Sequence, residues 1–63
     1  IMKRYKLLLK TLEALERGRY TALDVFWCGD TIDWLWRWRK ISEEEMHSLC
    51  NRVIALCEAG ITK

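Results

Sequence analysis

The chain has no proline, three glycines, one phenylalanine and no large excess of either charge. Each shortage narrows what it can be. With so few breakers there is no linker, internal repeat or low-complexity segment, and the punctuation reduces to Gly18–Thr21, Lys40–Ser42 and Gly60. Eleven basic residues against nine acidic ones leave a formal net charge of +2, too mild to argue for nucleic acid by itself. No uninterrupted apolar run approaches the roughly 18 residues of a membrane span. The opening Ile1-Met2-Lys3-Arg4 turns polar too soon for a signal peptide, so the expected location is cytoplasmic.

The chemical motifs are missing too. There is no G-x-G-x-x-G, phosphate-binding loop, G-x-S-x-G or H-E-x-x-H pattern. With 63 residues, the chain fits one small domain spanning 1–63 and excludes a two-domain enzyme, a Rossmann unit or a barrel. The expectation is a protein that is not an enzyme and carries no cofactor.

What is present is apolar. Half of the residues are hydrophobic (51%), four of them tryptophan, which is too much for a disordered chain. The spacing predicts an all-α fold, a small three-helix bundle over about 2–17, 22–39 and 43–59. In the first helix, Tyr5, Leu8, Leu9, Leu12 and Leu15 recur at the 3–4 spacing of one face, and Gly18 suits its C-terminal end. Lys3, Lys6, Lys10 and Arg17 fall opposite, with Glu13 four residues before Arg17 as a favourable pair.

The second helix opens on Thr21 as N-cap with Asp24 three residues on. Gly29-Asp30-Thr31 is its weak point, since glycine costs about 1 kcal/mol there relative to alanine. The apolar pattern keeps its phase across Gly29, which favours a continuous helix over a break recapped at Asp30 or Thr31.

The third helix has the strongest local signals. Ser42 and Glu45 form a capping box, Ile41 and Met46 occupy the staple positions, and Glu43, Glu44 and Glu45 complement the helix dipole. Met46, Leu49, Cys50, Val53, Leu56 and Cys57 make its stripe. Gly60 suits a Schellman ending with Ile61 folding back, and Thr62 and Lys63 should fray.

The three cysteines read first as small buried hydrophobes. Cys50 and Cys57 lie two helical turns apart, about 10 Å along the axis, so one ion cannot hold both at zinc–sulfur bonds of about 2.3 Å. Cys28, His47 and Cys50 form a conceivable metal set but lack a clear fourth ligand, and the expectation is no metal. A Cys50–His47 pair at i,i+3 has no oxyanion donors beside it, so a structural thiol near a boundary histidine is favoured. Asp30 and Asp33 read as solvating charge or as partner-steering groups.

On a helical wheel, Val25, Cys28, Ile32, Leu35 and Trp36 gather on one side of the second helix. Leu23, Trp27, Trp34 and Trp38 gather nearly opposite. Two neighbouring helices cannot easily cover both sides. A tryptophan buries about 150–250 Å², worth on the order of 4–6 kcal/mol at roughly 25 cal/mol per Å² before entropy is subtracted. Three aligned rings in water form a large adhesive patch, and a chain this short is already marginal as a monomer. The expected function is therefore a protein–protein interaction module forming a homodimer. Leu23, Trp27, Trp34 and Trp38 would make its interface, with Arg37, Arg39, Asp30 and Asp33 as polar rim. A phage or mobile-element inhibitor or regulator docking on a larger host protein is a base-rate guess within that class. A compact core that swallows all four rings is the bland reading. The alternative function is a small nucleic-acid-binding transcriptional regulator using Lys3, Lys6, Lys10 and Arg17, with Arg37, Arg39 and Lys40 adding charge. The Trp/Arg-rich stretch also resembles membrane-surface peptides, but Asp30 and Asp33 argue against an anchor, so no membrane partner is expected.

Overall fold

The computed structural model describes residues 3–19 and 22–59. They form three α-helices, with no strand among the described residues: α1 (Lys3–Glu16), α2 (Ala22–Arg37) and α3 (Glu43–Glu58). Each helix packs on both others, and α1 against α3 is the lightest contact. The expected bundle is observed, with helix ends drawn in by one or two residues. Thr21 as N-cap, the Gly60 ending with Ile61, and the ends Thr62 and Lys63 lie outside the described residues.

The core is built from one stripe of each helix. Leu8, Leu12 and Leu15 of α1 meet Val25, Cys28, Ile32 and Leu35 of α2, and Leu49 and Leu56 of α3 close the third side. Tyr5, Leu9, Met46, Cys50 and Val53 pack around this cluster, half-buried. α2 runs unbroken through Gly29, as the uninterrupted apolar phase implies. A methyl group added at Gly29 would meet nothing within 4 Å, so nothing packed nearby demands glycine there.

Trp36 corrects the wheel. It belongs by phase with the buried side of α2, yet its ring is 38% exposed, because it sits in the last turn at the rim of the core. Thr31 takes up burial instead, at 6% exposure, on the flank of α2 that faces α1.

The capping box of α3 is complete. The Ser42 hydroxyl accepts from the Glu45 amide at 3.1 Å, and the Glu45 carboxylate accepts from the Ser42 amide at 3.3 Å. Ile41, just before the cap, is buried.

Helices α1 and α2 end in the same way. After α1, the amide of Gly18 donates to the Leu15 carbonyl (3.0 Å) and that of Arg19 to Ala14 (2.9 Å). After α2, Arg39 donates to Trp36 (3.0 Å) and Lys40 to Leu35 (2.8 Å). Both are Schellman endings, which need one residue in the left-handed region. Gly18 takes it without cost at φ 87°; Arg39 takes it at φ 55° with a side chain attached. The turn at Arg39 halts α2 two residues short of the expected end and seats Ile41 in the core.

These conformations set an expectation for stability. Arg39→Gly should raise the unfolding free energy by roughly 0.5–1 kcal/mol, as relief of left-handed strain outweighs the gain in unfolded-state entropy. Gly29→Ala should raise it by a similar amount, about 0.5–1 kcal/mol, whereas Gly18→Ala should lower it by about 1 kcal/mol. Urea denaturation of the three variants reads all three signs.

Candidate interaction surface

Most of the large apolar residues left in water lie on α2, just past its end, or on the adjoining edge of α1: Leu23 is 78% exposed, Phe26 65%, Trp38 64% and Leu7 53%, with Trp27 at 36%, while Ile54 of α3, 52% exposed, lies apart from them. Three of the four residues that the wheel placed on the outer stripe of α2 are therefore exposed: Leu23, Trp27 and Trp38. Trp34 is not. It is half-buried and packs against the core. The guanidinium of Arg4 lies 4.1 Å from its ring centroid, a cation–π contact worth about 0.5–1 kcal/mol at an exposed site. Trp34 and Trp38 have centroids 6.2 Å apart and planes tilted by 44°, a favourable aromatic geometry. Arg4, Trp34 and Trp38 thus form a continuous stack across the α1/α2 seam.

Below this stack lies an open groove of about 660 Å³, lined by Lys3, Arg4 and Leu7 of α1 and by Trp27, Asp30, Thr31 and Trp34 of α2. Arg4 and Leu7 are the contributors that sequence reasoning missed. Neither joins a hydrophobic stripe. Only the antiparallel pairing of α1 with α2 brings Arg4 level with Trp34.

Asp30, Asp33, Arg37 and Arg39 are all exposed. Arg37 and Asp33 form an exposed i,i+4 ion pair at 3.1 Å, and Arg39 is exposed in the turn. Asp30 is exposed and makes no ion pair among the described residues. Lys3, Lys6, Lys10 and Arg17 are all exposed along the outside of α1, with Leu7 between three of the lysines.

The remaining charged groups tie helices together. Arg52 of α3 grips Glu16 of α1 in a two-point contact, Nη2 to Oε1 at 2.6 Å and Nε to Oε2 at 3.0 Å. That contact holds the Glu16 carboxyl below the usual carboxylate range and raises Arg52 in turn. The Glu13–Arg17 pair is not among the ion pairs of the described residues; the acid that matters, Glu16, finds its partner 36 residues away. The Tyr5 hydroxyl donates to Glu45 at 3.0 Å, which, with some burial, pushes the phenol pKa up.

Cys28, Cys50 and Cys57 are free thiols, and Cys57, expected on the buried stripe of α3, is exposed instead. Cys28 is fully buried, and desolvation, with a smaller contribution from the Asp24 charge, pushes its pKa up to about 11. Cys50 is half-buried with its sulfur 3.8 Å from that of Met46. His47 is exposed. Among the described residues no three His, Cys, Asp or Glu side chains gather as a metal site. No helix of the described residues is long and apolar enough to cross a membrane.

No family model matches this chain, and no curated protein or solved structure matches it either.

Two measurements check this geometry. With Ellman's reagent at pH 8, Cys57 should react first and Cys50 more slowly, while Cys28 should react only as the chain unfolds. For Glu16, the lowered folded pKa means the unfolded chain binds the proton more readily. The stability the pair supplies is therefore complete above pH 4.5 and is lost as pH falls through the folded value. Arg52→Ala should cost about 0.5–1 kcal/mol at pH 7, the contact being partly exposed and screened. It should also flatten the acid limb of stability against pH.

Proposed function

We propose that this chain is a small, non-enzymatic protein–protein interaction module that works as a homodimer through the aromatic face of α2. The observation that carries the reading is the exposure of Leu23, Phe26 and Trp27 on α2 and of Trp38 just past its end, continued by Leu7 on α1. Interface hot spots are enriched in tryptophan and arginine, and Arg37 and Arg39 border this face. Among the described residues, the pairs Asp33–Arg37, Glu16–Arg52 and Tyr5–Glu45 tie one helix along its length or two helices together. A second copy is the simplest cover for such a face in a chain of this size. Docking of that same face on a larger host protein, as an inhibitor of phage or mobile-element type would do, is the form this proposal takes if the second copy is absent.

The nucleic-acid reading ranks second. It is supported by the exposed line of Lys3, Lys6 and Lys10 on α1, and weakened by Asp30 in the adjoining groove.

Light scattering tests the proposal. The wild-type chain at micromolar concentration should show twice the 7.6 kDa chain mass. Trp38→Glu should weaken association by about 30-fold or more, the scale of a 2 kcal/mol hot spot, and leave helix content unchanged because the ring is exposed. A wild type that stays monomeric and folded refutes the dimer.

A further inference from the structure

The two banks of the α1/α2 groove differ in chemistry. On the α1 bank, Lys3 and Arg4 stand beside the exposed Leu7, and Lys6 and Lys10 flank the outer side of the same leucine. No acid occurs between Lys3 and Leu12. The α2 bank is aromatic, with Trp27 and Trp34, and Asp30 is its one charge. Four cations therefore surround the groove against a single carboxylate. Lys3, Lys6, Lys10 and Asp30 take part in no ion pair among the described residues.

The electrostatics of the protomer do not call for these cations. A helix dipole favours acids in the first turn. α2 has Asp24 there, and α3 has Glu43, Glu44 and Glu45, but α1 has no acid in its first turn and carries Lys3, Arg4 and Lys6. The late acid of α1, Glu16, is answered within the protomer by Arg52. The glutamates that open α3 do not answer the lysines in the same way. Tyr5, which meets Glu45, lies roughly 160° around α1 from Leu7 at about 100° per residue, so α3 packs on the far side of α1 from the groove.

We propose that the groove receives an amphipathic helix of another protein, its apolar stripe seated between Leu7 and the indoles of Trp27 and Trp34 and its acidic residues lying along the α1 bank. Lys3–Lys10 and Trp27–Trp34 each span seven residue steps, about 10 Å of helix axis, or two turns. A helix crossing that length offers apolar anchors at i, i+3 or i+4, and i+7. Asp30 requires the flank of the occupant that faces α2 to be neutral or basic. A nucleic-acid strand meets neither condition, because its phosphates cannot all avoid Asp30 and Leu7 gives it nothing among the lysines. The helices of this chain do not match the occupant either. On the outer arc of α2, Asp33 is held by Arg37. On α3, the exposed Ile54 lies ten residues from Glu44, about 15 Å along the axis. The inference shares with the dimer reading only that the chain is an interaction module, and it stands whether or not two copies associate.

Selection from a random library of displayed peptides supplies the probe. Peptides that bind the wild-type chain should combine Asp or Glu with large apolar residues at helical spacing, and circular dichroism should show them gaining helix on binding. One such peptide is then measured against four variants, each checked for folding by circular dichroism, with all substituted positions exposed in the protomer. Lys3→Glu/Lys10→Glu should weaken it at least about tenfold, and Leu7→Ala should weaken it as well. Asp30→Asn should strengthen it by about twofold or more, since a like charge is removed. Arg17→Glu/Arg19→Glu makes the same change in net charge away from the groove and should shift affinity by less than about twofold, which separates a docked helix from general attraction to a basic protein. A selection that yields no binders, binders without an acidic excess, affinities indifferent to Lys3, Lys10 and Asp30, or displacement of the peptide by duplex DNA overturns the proposal. None of these results bears on the dimer, which the mass of the wild-type chain alone decides.

Discussion

Among the described residues two helices flank α2, and its apolar surface extends over more of the helix than these two neighbours cover. A surface helix ordinarily needs an apolar stripe of about 100°. α2 spends such a stripe on Val25, Cys28, Ile32 and Leu35, which are buried against α1 and α3. It still presents Leu23, Phe26, Trp27 and Trp38 on the rest of its circumference. The core is complete without these residues, so folding of one protomer does not explain their presence. The functional reading depends on that excess.

The excess is graded. Trp34 is drawn into the protomer by the core on one side and by Arg4 on the other, and it holds Trp38 at stacking distance. A half-buried ring that orients an exposed one makes the face more rigid than a set of free side chains. Rigid aromatic surface loses little side-chain entropy on association. The same packing leaves the groove between α1 and α2 open beside the exposed rings.

Much of the fold was legible because its signals are local. The Ser42–Glu45 box, the heptad-like leucines of α1 and the glycine after α1 each act within a turn of the chain. The Arg39 turn was not legible, because arginine carries no left-handed preference. Its conformation is imposed by closing α2 and burying Ile41. Trp36 is exposed where its phase implied burial because a wheel assigns phase but does not know where along the helix the neighbours stop. The surface was legible in part for the same reason. Leu23, Trp27 and Trp38 follow from periodicity on one helix, whereas Arg4 and Leu7 join only through the contact of two helices. Glu16–Arg52 likewise spans two elements and leaves no trace in local spacing.

The central claim is that the α2 face is covered by a second copy, and tryptophan emission across a dilution series tests it most directly. Trp27 and Trp38 should be shielded at high concentration and wet at low. The account predicts a red shift on dilution, complete over the same range in which the mass halves, with far-ultraviolet circular dichroism unchanged. An emission spectrum independent of concentration, together with a monomer mass throughout, would contradict it.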